Sequence, residues 1–175
     1  GRSAGGRRWG ARVACGALVR DGLVAATRNG WGPVSSDEER GLLFRPTSSP
    51  SPDFWGGKRP GNGAHANSVV ALRAETGELV WPFQTTHHDV WNYDLPAQPT
   101  LARIDTGTGI GDVVLQPTKQ GFVFVLARVT GKPNWPVTER SGLEGAWAGE
   151  RTSTHQPVPT NVPALRREPE SSPRG

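Results

Sequence analysis

Ala71-Leu-Arg-Ala-Glu-Thr-Gly-Glu-Leu-Val-Trp81 and Val125-Leu-Ala-Arg-Val-Thr-Gly-Lys-Pro-Asn-Trp135 are two copies of one template. Each closes an apolar strand, turns at Thr-Gly and sets a tryptophan four positions after the glycine. The first copy starts at residue 71 and the second at 125, an interval that accommodates one four-stranded blade with its loops. Thr-Gly makes the tight turn between two strands, and the large indole is suited to lie against a neighbouring blade and join the two. The repeat therefore predicts an all-β chain forming a partial β-propeller. Two copies correspond to about two to two-and-a-half blades, whereas closed propellers have four to eight.

The wider sequence agrees with many turns and short strands. Its 175 residues contain 23 Gly, 16 Pro and 7 Trp, and only 34% are hydrophobic. The best strands are 41–45 (GLLFR), 68–72 (SVVAL), 79–84 (LVWPFQ), 113–116 (VVLQ) and 121–126 (GFVFVL). Composition divides the chain into three zones. Residues 1–28 form a Gly/Arg-rich leader expected to be poorly ordered, 29–140 the propeller segment, and 141–175 a Pro/Ser/Arg-rich tail expected to be largely irregular.

Charge narrows the function. The net +4 arises in the leader, which carries six Arg and one Asp, while residues 29–149 carry ten basic and twelve acidic side chains. No basic stripe runs along a predicted sheet, so nucleic acid is not an expected partner. No apolar run approaches the roughly 18 residues of a membrane span, and no signal peptide is evident. The lone Cys15 allows no internal disulfide.

Four ordered blocks carry a specific resemblance. Residues 85–99, TTHHDVWNYDLPAQP, resemble the HHDxWDxDxPAQPT motif of the membrane-bound PQQ-dependent (quinoprotein) glucose dehydrogenase family and its quinate and polyol relatives. Residues 31–41 (WGPVSSDEERG), 46–57 (PTSSPSPDFWGG) and 116–126 (QPTKQGFVFVL) are similar to further blocks of that family. The repeat itself resembles the family's docking motif A-x-D-x-x-T-G-x-x-x-W, with Arg73 and Ala127 where the motif has Asp.

The resemblance implies an eight-bladed propeller holding PQQ and a divalent cation, Ca2+ or Mg2+, on its axis. Trp31 falls at the position whose aromatic face stacks on the quinone, and Lys119 at the position whose ammonium donates to the quinone oxygens. Two other positions depart from the family. Ser49 replaces the cation-binding Asn of T-G-N, and Asn92 replaces the catalytic Asp, the first carboxylate of W-D-x-D. Serine is a shorter, weaker cation ligand, and a neutral amide does not accept the proton of a substrate hydroxyl. Asp94 would serve as an alternative base only if the strand slipped by two residues.

These residues also have plainer readings. His87 and His88 are expected to be structural hydrogen-bonders and not metal ligands, since adjacent strand residues point to opposite faces. Trp81 and Trp135 are expected to pack, and Asp37-Glu38-Glu39 to form a solvated turn. Taken together, the sequence predicts a truncated, impaired or inactive piece of a periplasm-facing dehydrogenase. The intact relative would oxidise a sugar or polyol hydroxyl and pass electrons to ubiquinone, with membrane association through an N-terminal region missing here. The alternative is a non-catalytic propeller-repeat scaffold or interaction module, which Ser49 and Asn92 favour and Trp31 and Lys119 oppose.

Overall fold

The computed structural model describes residues 30, 32–59, 61–107, 109–142 and 147–160. Among these, nine strands and no helix are present. Strands β1 (Ser35–Asp37), β2 (Leu42–Pro46), β3 (Ser68–Arg73) and β4 (Leu79–Gln84) form an antiparallel four-stranded sheet in chain order. Strands β5 (Thr100–Asp105), β6 (Ile110–Pro117) and β7 (Val123–Ala127) form a three-stranded sheet, and β8 (Val137–Ser141) pairs with β9 (His155–Pro159). One complete four-stranded sheet, one of three strands and a hairpin agree with the partial propeller read from the repeat. All five expected strands are present. The four unannounced ones are short or polar, and β9 carries Pro157 and Pro159 within the tail segment.

Register explains the first sheet. Phe44 on β2 pairs with Ala71 on β3, which pairs with Trp81 on β4. The methyl of Ala71 lets the two rings flanking it come together, with centroids 5.8 Å apart and planes tilted by 42°. Leu42, Val69 and Trp81 of this sheet share one buried cluster with Val114, Phe124 and Leu126 of the second. Phe83 on β4 meets Phe124 on β7 at 5.3 Å.

The indole of Trp81 is the main link between the sheets. Its Nε1 donates to the Arg128 carbonyl at 3.1 Å, and its ring lies over Gly131 in the Thr-Gly turn of the second repeat. Gly131 has φ of +68°, and a Cβ placed there would come within 2.5 Å of the ring. Both conformation and contact therefore require glycine. The two Thr-Gly turns have the same hydrogen bonds. Arg73 N–H donates to Glu78 O and Gly77 N–H to Arg73 O, each at 2.8 Å. Ala127 N–H donates to Lys132 O and Gly131 N–H to Ala127 O, also at 2.8 Å. Each turn is completed by its threonine, whose Oγ1 accepts the Glu78 N–H at 3.2 Å in one and the Lys132 N–H at 3.4 Å in the other.

The expectation of a solvated turn at 37–39 holds for Glu38 and Glu39 but not for Asp37, which is 6% exposed. Asp37 accepts from Arg40 at 3.0 Å and from Arg128 at 3.2 Å, while Arg40 also pairs with Asp112 at 2.7 Å. These contacts tie β1 to the second sheet, so burial here is compensated by ion pairing. Burial raises the Asp37 pKa. The Arg40 backbone N–H and the Arg128 and Arg40 guanidiniums outweigh it, leaving the carboxyl below its ordinary 3.8.

Two predictions follow from this packing. Gly131→Ala should lower the unfolding free energy by about 1–3 kcal/mol in urea titration, since it adds strain and a clash together. An Asp37 lowered in the folded state contributes stability above pH 3.8 and loses it as pH falls below that value. Asp37→Asn should therefore be less stable than the parent near neutrality, with the gap narrowing under acid in parallel denaturation curves.

Candidate cofactor-binding site

The site is built on the loop 85–99, which leaves β4 and runs to β5. Its first residues are locked by side chains. Thr85 Oγ1 donates to Asn67 O at 2.8 Å, and Gln120 Nε2 donates to Thr86 Oγ1 at 2.7 Å. His88 is buried, with its ring nitrogens facing the carbonyls of Gly61 and Gly56. His87 faces Gln84 Oε1 at 2.7 Å and Glu139 at 3.3 Å, and its backbone pairs twice with Gln156 of β9. The two histidines sit in a bend and not on a strand. Both act as hydrogen-bonders that hold the loop to its surroundings.

Asp89 organises the turn. Its side chain is fully buried, and it accepts the N–H of Trp91 at 2.9 Å and of Tyr93 at 2.8 Å. The same carboxylate accepts Asn67 Nδ2 at 2.8 Å and the Ser49 hydroxyl. An aspartate bonding to backbone N–H groups two and four residues on is a strong local turn-former. Asn67, also fully buried, donates to Tyr93 O at 2.9 Å and Ser49 Oγ at 3.1 Å. Arg59 Nη2 donates to the Asp89 carbonyl. Burial pulls the Arg59 guanidinium below its ordinary value, against the opposing charges of Asp89, Asp53 and Glu150.

This turn brings three of the sequence-predicted residues together. Asn92 has φ of +58°, a left-handed conformation that Asn tolerates better than most residues. Its carbonyl accepts Lys119 Nζ at 2.8 Å. Lys119 also donates to Asp94 Oδ2 at 3.0 Å, and Asp94 Oδ1 accepts the Ser49 N–H at 2.8 Å. Lys119 lies on the turn between β6 and β7, so both sheets contribute to the cluster. Trp31 lies outside the described residues. Asp94 was read from sequence only as an alternative base, and Asp89 and Asn67 were not singled out as site builders. Asp89 carried a signal, since an Asp two residues before a turn is a common side-chain cap, and the left-handed φ of 46° at Asn67 carried a weaker one, Asn being the side chain that tolerates it best.

An ammonium has three N–H donors, and the bonds to Asn92 and Asp94 use two. Its side chain is 35% exposed, leaving the third able to meet an acceptor such as a quinone carbonyl. The residues present therefore fit an anionic or quinonoid ligand at Lys119. For a divalent cation they offer fewer free groups. Ser49 gives its hydroxyl to Asp89, and both Asp94 oxygens are engaged, one by a cation. Among the described residues no group of three His, Cys, Asp or Glu is arranged to hold a metal ion.

Comparison with known proteins establishes the family. The family described as PQQ, glucose/ethanol/alcohol dehydrogenase, β-propeller domain, matches residues 18–173. The chain belongs to this family. It is 42% identical over 130 residues to the quinoprotein glucose dehydrogenase of Escherichia coli (strain K12), covering 74% of this chain and 16% of that protein. Quinoprotein glucose dehydrogenase A of Acinetobacter calcoaceticus is 45% identical over 132 residues, with 74% and 16% covered. The crystal structure of quinohemoprotein alcohol dehydrogenase from Comamonas testosteroni superposes with a TM-score of 0.57 at 29% identity, covering 77% of this chain and 20% of that one. The chain thus spans about one sixth of the length of the curated glucose dehydrogenases it matches.

Because Asp89 satisfies four donors at once, Asp89→Ala should destabilise the chain by at least about 3 kcal/mol in chemical denaturation. Substituting exposed Glu75 by Ala should leave the same curve within about 0.5 kcal/mol.

Proposed function

We propose that this chain is a segment of a PQQ-dependent dehydrogenase that oxidises a hydroxyl of a sugar or polyol, with ubiquinone as the eventual electron acceptor, on the periplasmic side of a membrane. The observation that carries this reading is the Lys119 ammonium, fixed by the Asn92 carbonyl and Asp94 with one donor to spare. PQQ, when bound, supplies the two-electron acceptor for the alcohol carbon. Lys119 would donate to its oxygens and offset their charge. Trp31, at the family's stacking position, would form the floor. The loop 85–99, held by Asp89, would position these groups without rearrangement on binding.

From the same residues we infer impaired turnover. Asn92 presents a neutral amide where a base is needed, and losing a general base typically costs about 10²–10⁴ in rate. Asp94 is held by Lys119 and Ser49 and so is poorly placed to substitute. The alternative, a non-catalytic propeller scaffold, draws support from Asn92 and from the Ser49 hydroxyl being directed to Asp89.

Tryptophan fluorescence of the 175-residue chain titrated with PQQ distinguishes the two. Saturable quenching that disappears in Lys119→Ala is expected, and no binding by the parent would contradict the cofactor reading. In a full-length relative carrying this segment, Asn92→Asp with Ser49→Asn should raise dye-linked glucose oxidation by about 10²–10⁴. Unchanged silence in that assay would favour the scaffold.

A further inference from the structure

We propose that Asp94 is a positioning residue for Lys119, and that this chain fixes its lysine through residue 94 independently of the side chain at residue 92. The inference rests on the reading of Lys119 as the quinone-facing group.

The geometry separates two roles that a W-D-x-D pattern would leave mixed. At residue 92 the left-handed backbone turns the carbonyl toward Lys119, and the bond of 2.8 Å is made by the main chain. The charge opposite the lysine comes instead from Asp94, at 3.0 Å. Asp94 is itself immobilised. It is 9% exposed, its second oxygen takes the Ser49 N–H at 2.8 Å, and the next residue, Leu95, is buried in the shared core. Ser49 is fixed in turn by its hydroxyl on Asp89. The chain of contacts from the buried Asp89 to the half-exposed ammonium is therefore continuous and made of short bonds.

A free lysine side chain carries about 2 kcal/mol of rotamer entropy, which a ligand would have to remove on binding. An immobile carboxylate removes part of it beforehand. It does so without relying on the side chain at 92, which explains how an amide there coexists with an ordered lysine. Asp94 touches neither substrate nor cofactor in this account.

Competitive acylation with acetic anhydride, read by peptide mass spectrometry, tests this without any cofactor. The chain contains three lysines, at 58, 119 and 132, and the other two serve as internal standards. Asp94→Asn keeps an oxygen for the Ser49 N–H but removes the charge. Lys119 should then label roughly two- to fivefold faster, the factor that a partly exposed ion pair supports, while Lys58 and Lys132 are unchanged. Equal labelling of Lys119 in parent and variant would overturn the proposal, as would a rise shared by all three lysines. PQQ titration adds a second readout. Asp94→Asn should weaken PQQ binding by the parent, and an unchanged affinity would overturn the proposal. If the parent does not bind PQQ, the cofactor reading fails, while the labelling ratio still decides the role of Asp94.

Discussion

A buried carboxylate without its donors would cost several kcal/mol, and Asp89 is a fully buried carboxylate. Its four donors come from distant stretches of chain: Ser49 after β2, Asn67 before β3, and Trp91 and Tyr93 on its own loop. Satisfying them simultaneously fixes where those segments meet. The left-handed turn at Asn92 lies between two of these donors, so its conformation follows from Asp89 and not from its own side chain. The placement of Lys119 depends on that turn being formed before any ligand arrives.

The second requirement is that the two sheets keep their distance. Lys119 rises from the second sheet and its partners from the loop following the first, so a shift between the sheets would pull them apart. Trp81 over Gly131 sets the spacing by shape, and the Arg128–Asp37 and Arg40–Asp112 pairs add directional contacts near one end. Gln116, buried on β6, reaches across with its Nε2 to the Ala97 carbonyl at 3.1 Å, fixing the far part of the site loop to the second sheet. Apolar packing provides most of the adhesion, and these polar bonds select one alignment.

Much of the scaffold was legible because its signals are local. The Thr-Gly-x-x-x-Trp spacing gave the repeat and the role of Trp81, and apolar runs gave β2, β3, β4, β6 and β7. Strand β1 has three residues, and β8 and β9 are polar or proline-bearing, so neither hydropathy nor period marks them. The burial of Asp37 was hidden because its partner Arg128 is 91 positions away. Of the candidate site, Ser49, Asn92 and Lys119 were proposed from motif position. The bond network joining them was not, because it depends on a main-chain carbonyl and on backbone angles at Asn67 and Asn92 that no residue type dictates. With Arg73 and Ala127 where the motif has Asp, both turns are closed by backbone bonds and by the Thr76 and Thr130 hydroxyls.

In this propeller-family segment Lys119 is held by the Asn92 carbonyl and the Asp94 carboxylate. That organisation depends on Asp89, and amide hydrogen exchange at Trp91 and Tyr93 measures it most directly. Both N–H groups should exchange as slowly as those of strand residues Val69 and Phe124, and Asp89→Asn should release them while the strands stay protected. Exchange of Trp91 and Tyr93 in the parent as fast as at the exposed Glu75 would show that the loop is not preformed, and the account of the site would fall with it.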